Sequence, residues 1–97
     1  MKNQLSNYNY VFVFYDVNEM RVQRVFKVCK KYLSHFQKSV FRGEMSPSKL
    51  IRFKKDLNKV IDKSEDFICI IKLMNYNVFG EEVLGNGSAP TGEDLII

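Results

Sequence analysis

Cysteine, histidine, long apolar runs and mid-chain acid are all scarce in this chain of 97 residues. Each scarcity closes off a class of protein. The only two cysteines, Cys29 and Cys69, both lie inside apolar periodic segments. That pattern reads as buried free thiols in a reducing compartment, not as a disulfide framework or a zinc site. No run reaches the roughly 18 apolar residues of a membrane span, and residues 1–9 are polar with no apolar signal core. A cytoplasmic protein without membrane association is therefore expected. The single histidine, His35, falls in a turn before a strand, where a surface or capping role is expected rather than that of a general base. Acid is nearly missing from the middle of the chain. Between Arg21 and Lys63 stand 13 basic residues and only three acids, Glu44, Asp56 and Asp62. The flanks carry the opposite balance. Such asymmetry points to a polyanionic partner.

What is present is enough for one small domain. Hydrophobic residues make up 45% of the chain, so a core can form, and domains of this size commonly gain stability by oligomerising. There are no internal repeats. Tyr10 to Tyr15 is apolar on both faces and rich in aromatics and valine, which predicts a buried central strand ending at Asp16. Residues Met20 to Leu33 switch to helical period, with Val22, Val25, Phe26, Cys29 and Leu33 on one stripe and Asn18 as N-cap. Phe36 to Gly43 alternates as a half-polar edge strand. Ser46-Pro47 is a helix start, and Leu50, Phe53, Leu57 and Val60 or Ile61 give a second buried stripe ending near Lys63. Asp66 to Met74 is again apolar on both faces and is expected to be central. Val78 to Leu84 reads as a short fourth strand, 85–92 as a loop, and Asp94 to Ile97 as a tail strand.

These segments are assigned to a β-α-β-β-α-β order of the ferredoxin-like, α+β class: a four-stranded antiparallel sheet with two helices on one face. Residues 1–85 form the domain, and 86–97 form a loop and tail strand for dimer or partner docking. The helices can cover one face only, and the central strands are apolar on the other face too. A second copy, arranged as a two-fold dimer, is the economical cover.

Tyr15-Asp16-Val17, a basic helix ending Cys29-Lys30-Lys31-Tyr32, and the run Gln37-Lys38-Ser39-Val40-Phe41-Arg42-Gly43 resemble the small CRISPR-associated adaptation proteins of the Cas-two family. Asp66 to Ile71 fits that family's third strand and Leu84-Gly85 its closing turn, so the resemblance spans Tyr10 to about Gly85. It implies a ferredoxin-like homodimer that docks onto the CRISPR integrase to capture and insert short duplex DNA. In several members it implies a metal-dependent endonuclease acting on single-stranded RNA or duplex DNA; others act as scaffolds alone. The family's metal aspartate falls on Asp16, its neighbouring tyrosine on Tyr15 and its second-signature aromatic on Phe41. Two departures bear on cleavage. The early basic residues of the first helix are displaced to Arg21 and Arg24, and His35 stands where some members place an arginine. The alternative is a ferredoxin-like regulatory or toxin-type ribonuclease domain outside CRISPR.

The chemistry of the residues agrees with that outline. Magnesium takes oxygen ligands and is often held by one or two carboxylates plus water; manganese is satisfied by the same oxygens. Each chain offers one well-placed acid, Asp16, and a two-fold dimer supplies a second; Glu19 is the nearest further acid. Arg21, Arg24, Lys27, Lys30 and Lys31 lie outside the apolar stripe of their helix and suit salt-sensitive phosphate contacts. The segment Phe67 to Met74 lacks the glycine- and aromatic-rich motif of RNA-recognition strands, which disfavours sequence-specific single-strand readout. Gln37, Ser39 and Phe41 share a face and are expected at the dimer interface, with a place for Phe41 near the metal as the second reading.

Overall fold

A computed structural model describes residues 7–75 and 81–85. The chain forms β1 (Tyr10–Asp16), α1 (Val22–Tyr32), β2 (Ser34–Gln37), β3 (Val40–Glu44), α2 (Pro47–Val60) and β4 (Phe67–Leu73). The four strands make one sheet in the order β2-β3-β1-β4, with every neighbouring pair antiparallel. Both helices lie on one face. This is the ferredoxin-like α+β arrangement, but two strands reach their places by a route the residue pattern did not indicate.

The single edge strand expected over Phe36–Gly43 is instead a hairpin. The chain reverses at Lys38-Ser39, and β2 pairs with β3 through Ser34–Arg42, His35–Phe41 and Gln37–Val40 with a shift of register between His35 and Gln37. The turn is made without glycine or asparagine: Lys38 itself takes a left-handed backbone, φ 39°, a conformation unusual for a long side chain. The segment expected to be central at Asp66–Met74 is also corrected. As β4 it lies beside β1 at the outside of the described sheet, and β3 takes the second inner place. Of the expected strand at Val78–Leu84, residues 81–84 have no regular structure and the rest lies outside the described residues, as does the tail strand at Asp94–Ile97.

Both helices follow from their ends. In α2, Ser46 Oγ accepts a hydrogen bond from Lys49 N at 3.3 Å, and Pro47 occupies the first helical position, where its missing N–H costs nothing. Leu50, Phe53 and Leu57 are buried at the expected spacing. The α1 helix begins later than expected. Arg21, not Asn18, holds the N-cap position and makes no side-chain cap; Asn18 Oδ1 instead accepts from Met20 N at 2.8 Å in the preceding turn. The two helices are joined by Tyr32, whose hydroxyl donates to Asp56 at 2.6 Å and whose ring meets Phe53 edge-on at 5.2 Å.

The core lies between the helices and one face of the sheet. Val11, Val13 and Tyr15 of β1 pack there with Val25, Cys29, Phe41, Met45, Leu50, Phe53 and Leu57, all buried. Burial pushes the Cys29 thiol up to about 12, so it stays protonated and inert. The alternate residues of the same strands form the other face. In the register these are Val40–Phe14–Cys69, Arg42–Phe12–Ile71 and Glu44–Tyr10–Leu73. That face is largely apolar and open: Phe14 is 36% and Ile71 is 44% exposed. Arg42 lies across it, its guanidinium 4.3 Å from the Phe36 ring centroid and paired with Glu81.

Candidate metal and nucleic-acid site

Asp16 is the last residue of β1, and alternation places it on the open face with Phe14 and Phe12. Its partner across the β1–β4 register is Phe67. The carboxylate is exposed and makes no hydrogen bond or ion pair among the described residues. Directly behind it the chain is tightly held. The Asp66 side chain, wholly out of solvent, accepts from Asn18 N at 2.9 Å, from Asp62 N at 2.8 Å and from Arg21 Nε at 2.6 Å. A second guanidinium nitrogen of Arg21 reaches Asp66 at 3.1 Å and Glu65 at 2.7 Å. The Arg21 hydrogen bonds hold the Asp66 carboxyl well below the usual carboxylate range, aided by the two backbone N–H donors and opposed by desolvation. The loop carrying Asn18 is thus clamped to the loop before β4, and Asp16 stands at the end of a fixed strand with its own oxygens free.

This placement corrects the assignment of Arg21 as a phosphate contact. Its guanidinium is engaged by Asp66 and Glu65. Arg24, Lys27, Lys30 and Lys31 remain on the exposed side of α1, with Lys31 3.4 Å from Asp56. The α2 helix adds exposed Arg52, Lys54, Lys55 and Lys59. The helical face is therefore basic across both helices, and its one carboxylate, Asp56, is already bonded to Tyr32 and Lys31.

Tyr15, which the resemblance sets next to the metal aspartate, and Phe41, expected at the dimer interface first and near the metal second, lie on the helix side of the sheet. Their rings stack at 6.3 Å, and Phe41 also meets Phe26 at 5.2 Å and His35 at 4.9 Å. Burial, with a smaller contribution from Cys29, pushes the Tyr15 hydroxyl up to about 12, which unsuits it to accept a proton at neutral pH. His35 Nε2 donates to Lys38 O at 2.8 Å and faces this aromatic cluster, on the side of the sheet opposite Asp16. Phe41 is fully buried in its own core and is not free to meet a second copy. Gln37 and Ser39 are half-buried at the hairpin. Ser39 O accepts from Tyr15 N at 3.2 Å, so the hairpin turn braces the end of β1.

No group of three or more potential metal ligands occurs among the described residues. At the end of β1 the chain supplies a single carboxylate, Asp16, a donor set that fits a hard divalent ion carrying most of its water and does not fit a zinc cage. Beside Asp66 a groove of about 300 Å³ runs between α2 and β4, lined by Lys54, Ile61, Lys63, Phe67, Ile68 and Ile70 among others.

The sheet order, the two helices on one face and the basic helical surface place the chain among small ferredoxin-like α+β domains. The comparisons narrow that class. The sequence profile described as "CRISPR associated protein Cas2" matches residues 9–79. The chain is 40% identical over 88 residues to a CRISPR-associated endoribonuclease Cas2 of Thermotoga maritima, covering 91% of this chain and 98% of that one. It is 39% identical over 87 residues to a second such protein of Archaeoglobus fulgidus, covering 90% and 95%. A solved structure described as "Crystal structure of cas2" superposes with TM-score 0.78 at 37% identity, over 87% of this chain and 94% of that chain. The chain belongs to the CRISPR-associated Cas2 family. That membership sets aside a regulatory or toxin-type domain outside CRISPR. Among the described residues no helix is long and apolar enough to cross a membrane.

Proposed function

We propose that this protein serves spacer acquisition in CRISPR immunity as a homodimer. It braces duplex DNA through backbone contacts, scaffolds the integrase, and carries a magnesium-dependent phosphodiesterase activity at Asp16. The relatives' description as endoribonucleases makes RNA the first substrate to test. The observation that carries the reading is the free, exposed carboxylate of Asp16 at the end of an inner strand, while the acids around it, Glu65 and Asp66, are engaged. Asp16 of each copy would hold the magnesium ion, or manganese in its place, and the bound ion supplies Lewis-acid stabilisation of phosphoryl charge. Around it the chain positions: the Asp66–Arg21 clamp fixes the following loop, and the hairpin turn supports Tyr15 from the other side. The open apolar face, with Phe14 and Ile71 exposed, favours a second copy as its cover, and a two-fold arrangement brings the second Asp16 to the same assembly. The basic face of α1 and α2 favours phosphate contacts that weaken as salt rises.

The deciding experiment is cleavage of labelled single-stranded RNA and duplex DNA with magnesium, wild type against Asp16→Ala. The expected result is cleavage by wild type and loss of it in the variant, with duplex affinity within about twofold, since a carboxylate neutralises no phosphate charge. Equal cleavage by both proteins would remove the enzymatic part of the reading and leave the scaffold.

A further inference from the structure

His35, the chain's only histidine, sits at the strained turn of the β2–β3 hairpin. Lys38 there takes a left-handed backbone, φ 39°, which glycine adopts readily and a residue with a side chain adopts at a cost. Neither glycine nor asparagine stands in the turn, so its shape needs a hold from elsewhere. His35 supplies one. Its Nε2 donates to the Lys38 carbonyl at 2.8 Å; that nitrogen carries the proton, since a carbonyl can only accept. The bond closes the turn where the β2–β3 register shifts between His35 and Gln37 and the ladder is interrupted. The imidazole is fixed in its own right. Phe26 of α1 meets it edge-on at 4.9 Å, and Phe41 of β3 lies against it at 4.9 Å. The ring is thus held by a helix and a strand of the core, while its nitrogen holds the turn.

The turn carries the end of β1. Strand pairing of β1 with β3 stops at Phe14–Val40, whereas its pairing with β4 runs on to Asp16–Phe67. Past Phe14, Tyr15 N still donates to Ser39 O at 3.2 Å, and Ser39 directly follows Lys38. We infer that His35 is a positioning residue for Asp16. Its side chain holds the Lys38 carbonyl, the held turn presents the Ser39 carbonyl to the Tyr15 N–H, and that bond steadies the strand end that bears the Asp16 carboxylate. His35 lies on the side of the sheet opposite Asp16, so it acts on the site through the backbone and touches no reacting atom. The inference deepens the proposed function and rests on it for the ion at Asp16; the hold on the strand end can be tested alone. A histidine that only filled space would need its ring and not its nitrogen, and the two roles separate on that difference.

The test reads hydrogen exchange at the Tyr15 amide by NMR, with EDTA present so that no ion takes part. His35→Phe keeps a ring in the core and removes the donor; His35→Gln keeps a donor and removes the ring. Exchange at Tyr15 is expected to rise about tenfold in His35→Phe, with Val11 and Val13 within about twofold, and to stay near wild type in His35→Gln. Adding Lys38→Gly to His35→Phe should restore the protection, because glycine takes the left-handed turn unaided. Manganese binding, read from the EPR signal of the free ion, is expected to weaken about fivefold in His35→Phe, to recover in the double variant and to be lost in Asp16→Ala. Unchanged exchange at Tyr15 in His35→Phe would overturn the inference. So would faster exchange at all three amides without rescue by Lys38→Gly, which would make His35 a core filler. Undiminished manganese binding in His35→Phe, when Asp16→Ala has lost it, would overturn it as well. Manganese binding that survives Asp16→Ala, with the Tyr15 response intact, would remove the metal reading at Asp16 and keep the hold of His35 on the strand end.

Discussion

Asp66 is the residue on which the neighbourhood of Asp16 depends. One buried carboxylate joins the loop after β1, the helix start at Arg21 and the turn at Asp62. Its pKa is depressed in the folded state, chiefly by Arg21. The sign of the pH effect follows. The unfolded group titrates near 3.9, so the clamp stabilises the fold fully above that value. It loses that contribution progressively as pH falls from there toward the depressed folded value. In urea unfolding followed across pH, Asp66→Asn is expected to be less stable than wild type at pH 7. Its midpoint should also fall less steeply with acid below about pH 4. Parallel curves for the two proteins would show that the ion pair does not couple to folding. None of this was legible in the residues one by one. The Glu65-Asp66 pair and Arg21 are visible in the sequence, but they lie 44 and 45 positions apart, and periodicity reports only on neighbours within an element. Asp16 was legible because its signal is local: an acid closing an apolar strand. Tyr15 shared that local signal, yet the two-residue period of a strand sends adjacent side chains to opposite faces. The pair therefore divides between the open face and the core.

At the scale of elements, the ends of α2 were the most readable part of the chain. Ser46 and Pro47 act through covalent geometry and one short-range hydrogen bond, so tertiary context has little to override. Ser46→Ala is expected to lower stability by about 1 kcal/mol in chemical denaturation, with Ser46→Asp near neutral; an unchanged midpoint in Ser46→Ala would mean that solvent caps the helix equally well. The β2–β3 hairpin was hidden for the converse reason. Its turn uses Lys38 in a left-handed conformation instead of the glycine or asparagine that announces such turns, and the alternation of Phe36 to Gly43 runs through it without a break. The position of β4 was misread for a different reason. Apolar residues on both faces of a strand show that both faces need cover, not that both are covered by the same chain. Ile68 and Ile70 pack toward the core, while Phe67 and Ile71 are exposed.

The whole molecule is consequently two-sided: a basic surface of two helices and an apolar sheet face crossed by one arginine. These sides ask for different partners. If a second copy covers the sheet, the protein should sediment at twice its chain mass. Ile71→Glu, a change at a 44% exposed position that leaves the core intact, should then yield a monomer with an unchanged circular dichroism spectrum. A monomeric wild type, or a dimeric Ile71→Glu, would place the interface elsewhere. Such a dimer would turn its two helical faces outward, so the charge measured along the chain would appear as two separate basic surfaces.

The place of β1 in the sheet has a further consequence, in time rather than in space. The first of the described strands is also an inner one, and its neighbour β4 is the last of them. Until β4 arrives, one edge of β1 stays open, and the bond from Asn18 to Asp66, across 48 positions of sequence, cannot form. Closing the sheet is therefore a late, long-range event of the kind that slows folding. A chain interrupted between Val60 and Asp66 would contain Asp16 and the whole helical charge, yet would lack the clamp that fixes the loop behind the strand end.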